Sequence, residues 1–152
     1  MRGVAHGGPF NVLLVEDNPG DVRLAMEALR EGTIPKKVHV VGDGVEALDY
    51  LNSLGTKDLP DLVLLDLNLP RKNGHEVLAA IRANDRLRLT AVVVFTSSAA
   101  EQDIRSAYEL HANSYVIKPQ GFAELAETIH SIERFWLQTA AIPFRIPVEA
   151  VY

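Results

Sequence analysis

The chain has 152 residues, 47% of them hydrophobic and 23% charged, with a formal net charge of −5. That length fits one domain with a substantial core, and the acidic balance argues against nucleic acid as the main partner, which would need a basic surface. Cysteine is absent, which excludes disulfides and thiolate metal sites and fits a cytoplasmic protein.

Residues 1–10, "MRGVAHGGPF", hold one arginine and no apolar block, so they read as a loose leader rather than a secretory signal. No apolar stretch further on approaches the about 20 residues of a membrane span. The first strand candidate is 11–16, with Val12 to Val15 buried on both faces. A helix over 19–31 follows, with Asn18 as N-cap, Pro19 at its first position, and Val22, Ala25, Met26 and Leu29 on one face; Gly32 ends it. A strand at 38–42 leads to a helix over 43–55, for which Asp43 and Glu46 form a capping box. Val45, Leu48, Leu51 and Leu54 make its apolar stripe and Gly55 its terminator.

A strand at 61–66 precedes a helix over 74–83 that buries Val77, Leu78 and Ile81. A strand at 90–96 precedes a helix over 99–111 expected to bury Ile104, Ala107 and Tyr108. A last strand at 113–117 leads to a helix over about 121–139 carrying Phe122, Leu125, Ile129, Ile132 and Trp136. Five strands alternating with five helices predict an α/β domain, a five-stranded parallel sheet with helices on both faces.

Functional groups in such sheets collect beyond the carboxyl ends of the strands, where the strand order reverses. Those ends carry Glu16 and Asp17, Asp66, Thr96 and Lys118. Taken singly, each has a plain role: an acid can cap a helix, Thr96 can simply be a strand residue, and Lys118 can lie along the surface. Together they converge. Three carboxylates in one cleft repel unless a cation sits among them, and a hard divalent ion such as Mg²⁺, with oxygen ligands, relieves that repulsion. With a lysine and a hydroxyl added, the set suits a phosphoryl group carried on Asp66. His39, His75, His111 and His130 lack metal-ligand spacing and read as structural, and His6 lies in the leader.

"LLVEDN", "LLDLNLP", the Asn73–Gly74 pair, "VFTSS" and "SYVIKP" resemble the receiver domain of two-component response regulators, over roughly residues 11 to 138. The resemblance implies the flavodoxin-like (βα)5 receiver fold and a phosphoacceptor at Asp66. It implies Mg²⁺ held directly by Asp17, Asp66 and the carbonyl of Asn68, and by Glu16 mainly through water. Thr96 and Lys118 would contact the phosphoryl oxygens, Tyr115 would be an aromatic switch that turns inward, and the Lys118–Pro119 bond would be cis. Ser97, being small, would leave the acceptor open. Two residues depart from the commonest pattern: Glu16 replaces an Asp, and Gln120 stands where many receivers have Phe, leaving a smaller apolar plug.

"LLDLNLP" together with "IERFWLQTAAIP" is similar to phytochrome-associated response regulators, which implies a light-sensing sensor histidine kinase as partner. The nearest enzymatic rival, a haloacid-dehalogenase-type phosphatase, needs a second Asp two residues after the first to protonate the leaving group, and that position is Asn68. A dinucleotide-binding domain would need a glycine-rich first turn, which "EDNPGD" is not. A non-catalytic interaction module would have no use for five converged polar groups. Only self-phosphorylation and self-dephosphorylation are expected as turnover.

The extension 139–152 holds Ile142, Phe144, Ile146, Val148, Val151 and Tyr152, more apolar surface than a solvated tail should carry. Pro143 and Pro147 rule out a continued helix, and the adjacent Phe135 and Trp136 cannot both face one core. The expectation is a two-fold homodimer built on the fourth helix, fifth strand, fifth helix and this tail; the alternative is a tail folded back on its own domain or simply disordered.

Overall fold

The structure is a computed structural model and describes residues 8–145. Residues 1–7 of the expected leader, and Ile146, Val148, Val151 and Tyr152 of the expected extension, lie outside the described residues. The chain runs β1 (Phe10–Val15), α1 (Pro19–Glu31), β2 (Lys36–Val41), α2 (Gly44–Ser53), β3 (Leu62–Leu65), α3 (Gly74–Ala83), β4 (Val92–Thr96), α4 (Glu101–Glu109), β5 (Ser114–Ile117) and α5 (Phe122–Glu133). The strands form one sheet in the order β2-β1-β3-β4-β5, and every pairing is parallel. From β1 the chain steps one way to β2 and then back across to β3. The reversal falls between β1 and β3, whose carboxyl ends therefore flank a crevice.

Alternate side chains of the central strands feed two cores. Leu13, Val15, Val63, Leu65, Val92 and Val94 pack with the buried faces of α2 and α3 and with Ala107 of α4. Val12, Leu14, Leu62, Leu64, Val93 and Phe95 pack with α1 and α5. Helices therefore cover both faces, as expected of strands that are apolar throughout.

Local signals set most helix ends. Asn18 Oδ1 accepts the Asp21 N–H at 3.0 Å, and Pro19 opens α1. Asp43 Oδ1 accepts the Glu46 N–H, but the Glu46 carboxylate reaches the Gly42 N–H instead of closing the expected box. The complete capping box belongs to α3, where Asn73 and Glu76 exchange side chain–backbone bonds.

Three expectations need correction. Tyr108 is 49% exposed because α4 lays only Ala107 fully onto the sheet, and its hydroxyl accepts the Tyr115 N–H instead. Phe122, the first residue of α5, is exposed for want of a neighbouring layer. The last helix is not α-helical to residue 139: it passes into a π-helical turn at Arg134–Thr139. The wider turn places Trp136 against the α1–α5 core while Phe135 stays 51% exposed.

The described part of the extension folds back on its own domain. Ile142 and Arg145 are buried and paired across a tight turn, and Phe144 packs against the core on the α2–α3 side. The Arg145 guanidinium donates to the Gly8 and Pro9 carbonyls at 3.0 and 2.6 Å and lies 4.4 Å over the Phe10 ring. Among the described residues, no helix is long and apolar enough to cross a membrane.

Candidate functional site

The sheet continues its hydrogen bonding one residue past each strand, and this sets the polar side chains. The Glu16 N–H donates to Val41 O and the Asp66 N–H to Val15 O, both at 3.0 Å, while the Lys118 N–H donates to Thr96 O at 2.8 Å. Glycine is required beside the acceptor: a methyl on Gly74 would collide with the Asp66 carbonyl oxygen and sit 2.7 Å from Leu67 Cα.

Glu16, Asp17 and Asp66 bring one carboxylate oxygen each to within 4.8 Å of one another. Glu16 and Asp66 are buried, at 4% and 7% exposure, and Asp17 faces solvent. An all-oxygen, triply acidic set open on one side fits a hard divalent cation. Asn68 follows in the exposed β3–α3 loop, two residues beyond Asp66.

Lys118 is the counter-charge. Its ammonium is buried and pairs with Glu16, with Asp21 at 3.1 Å and with Asp66 at 3.5 Å. Burial alone would lower its pKa; the Glu16 hydrogen bond, the charges of Asp66 and Glu16, and the Asp21 hydrogen bond outweigh it and raise the pKa above the ordinary lysine value. Glu16 moves the other way from a normal carboxylate, to a pKa of about 6. Desolvation drives that shift, opposed by the bonds from Lys118 and the Asn18 N–H and reinforced by the Asp66 charge.

Asp66 Oδ1 accepts the Leu67 N–H at 2.7 Å, leaving Oδ2 toward Lys118. Thr96 is fully buried, and its hydroxyl has no hydrogen-bond partner among the described residues. An orphaned buried hydroxyl costs about 1–3 kcal/mol, so its retention next to the acid cluster points to a ligand it serves. Ser97 is exposed at the mouth. Tyr115 is half-buried, with its hydroxyl donating to Ser98 O at 2.8 Å, so its ring lies against the loop that follows Thr96.

Glu16, Asp17, Asp66 and Lys118 thus meet in one crevice, with Thr96 at the end of the adjacent strand β4. Asp21 is the residue that sequence reasoning missed; an acid in the first turn of a helix has an ordinary explanation in the helix dipole. The Lys118–Pro119 bond is trans, not cis, since the described residues contain no cis peptide; trans is the favoured form of an X–Pro bond, and Lys118 reaches all three acids from it. Gln120, itself exposed, is among the residues lining a cavity of about 260 Å³ between Lys118, α1 and α5. Three histidines make structural contacts: His39 stacks on Tyr50, and His75 and His130 bond backbone carbonyls.

Residues 12–130 match the response regulator receiver domain family. The chain belongs to that family. It is 45% identical to a phosphorylated cyanobacterial phytochrome response regulator, RcpA, whose crystal structure superposes with a TM-score of 0.84 over 90% of this chain and 99% of that one. It is 42% identical to response regulator Rcp1 of Synechocystis sp. over 138 residues, 89% of this chain and 94% of that protein. The Mn²⁺-bound form of Rcp1 superposes with a TM-score of 0.81, covering 89% of this chain and 99% of that one. A probable methanogenesis regulatory protein of Methanothrix harundinacea, FilR2, is 45% identical over 131 residues, 85% of this chain and 84% of that protein. This receiver is therefore a signalling protein close to the phytochrome response regulators, and the phosphatase alternative is not favoured.

Proposed function

We propose that Asp66 is the phosphoacceptor of this response regulator and that a sensor histidine kinase of the phytochrome type supplies the phosphoryl group. The observation that carries this is the convergence, at the β1/β3 reversal, of three carboxylates, one buried ammonium and one orphaned hydroxyl. Mg²⁺ would be held by Asp17, Asp66 and the Asn68 carbonyl, and by Glu16 mainly through water. When bound, it would supply a fixed positive charge that screens the acid cluster and polarises the phosphoryl oxygens. An Asp66 carboxylate oxygen attacks phosphorus as the phosphorus–nitrogen bond to the donor histidine breaks, its electron pair leaving on the imidazole. Lys118 neutralises charge on one phosphoryl oxygen, and the Thr96 hydroxyl donates to another. Satisfying that hydroxyl draws Thr96 toward the site and lets Tyr115 close in behind it. Turnover beyond this is limited to self-phosphorylation from small donors and self-hydrolysis.

The partner assignment rests on similarity to RcpA and Rcp1 over almost the whole described chain. We place the protein in the cytoplasm, with no nucleic-acid or membrane partner. We assign a homodimer to the α4–β5–α5 side. Its support is the exposure of Tyr108, Ile117, Phe122 and Phe135 on these elements and the turn that follows. Incubation with a small phosphodonor and Mg²⁺ tests the core assignment: the wild type should take up one phosphoryl group and Asp66→Asn none. Equal uptake by both would refute it.

A further inference from the structure

Lys118 spends all its donors before any phosphoryl group arrives. An ammonium has three N–H bonds, and three carboxylates surround this one: Glu16, Asp21 and Asp66. A phosphoryl group on Asp66 takes over the Asp66 contact and brings further acceptor oxygens to the same ammonium, so a second resting bond is open to exchange. Glu16 is poorly placed to yield, being 4% exposed and also tied to the Asn18 N–H. Asp66 carries the phosphoryl group itself. Asp21 has a side chain 41% exposed, and water can take over its solvation when it lets go. Its place is set by the backbone, because the Asp21 N–H donates to Asn18 Oδ1 at the start of α1, so the carboxylate is free to serve another purpose.

We infer that Asp21 is a positioning residue that holds Lys118 on the α1 side of the crevice at rest and is the partner exchanged for the phosphoryl group. This rests on Asp66 being the acceptor. Asp21 therefore competes with the phosphoryl group for one ammonium and sets how tightly the charged state is held. Its influence passes through Lys118.

Equilibrium binding of fluoroberyllate, with saturating Mg²⁺, reads this directly in the full chain. Asp21→Asn should bind the anion about two- to fivefold more tightly than wild type, the range expected for a partly exposed ion pair, and Asp21→Glu should restore wild-type affinity. In a Lys118→Ala background, Asp21→Asn should have no effect. Unchanged affinity in Asp21→Asn, or a gain that persists without Lys118, would overturn the inference, since the latter is plain charge repulsion. A wild type that binds no better than Asp66→Asn would overturn the acceptor assignment instead.

Discussion

Arg145 Nε donates to Asp61 Oδ1 at 2.9 Å, joining the chain's last described residue to the approach of β3, with both side chains buried. Asp61 Oδ2 also accepts the Asn11 N–H at 2.7 Å, so one carboxylate ties the extension, β1 and β3 together. Removing one partner leaves a buried charge uncompensated. Arg145→Ala should therefore lose about 3–5 kcal/mol of stability by urea denaturation.

Thr96 should behave oppositely. Its hydroxyl is buried without a partner at rest, so Thr96→Val, which keeps the shape, should raise the stability of the metal-free protein by about 1 kcal/mol. Phosphoryl-dependent changes in Tyr115 should be lost in the same variant. Thermal melts and tyrosine fluorescence before and after phosphorylation check the two halves separately.

Phe135 offers the cleaner probe of association. It is 51% exposed, while its neighbour Trp136 packs on the core, so Phe135→Glu should leave the fold intact. Sedimentation of the full chain should show a shift from dimer to monomer in the variant, with an unchanged melting temperature.

Tyr115 carries a pH dependence of known sign. Desolvation raises its pKa above 10.0, with the nearby Asp103 and Asp66 charges adding to burial and the Ser98 bond opposing it. The proton is therefore held more tightly in the folded chain than in the unfolded one. Its contribution to stability is complete below pH 10 and is lost as pH rises through the higher folded value. Ultraviolet titration should show two late-ionising phenols in the wild type, Tyr50 and Tyr115, and one fewer in Tyr115→Phe.

The strands and the site were legible in the sequence for a shared reason. Val63 to Leu65 and Val92 to Phe95 are apolar without alternation, and a polar residue at the exit of such a run, as at Asp66 and Thr96, has nowhere to go but the crevice. What stayed hidden depended on partners distant in sequence. Asp21 looks like an ordinary helix-start acid until Lys118, 97 positions away, is brought to it. Tyr108 fits a helical stripe, yet lies past the edge of the layer it would cover. The return of residues 142–145 is decided by Asp61 and by the Gly8 and Pro9 carbonyls, which no local pattern announces.

The central claim is that the phosphoryl group sits on Asp66. Reducing the phosphorylated protein with borohydride converts an aspartyl phosphate to homoserine, and peptide mapping locates the change. The account predicts homoserine at position 66 alone, dependent on Mg²⁺. Homoserine at Asp17 or Asp21, or phosphate retained on a residue that borohydride leaves untouched, would contradict it.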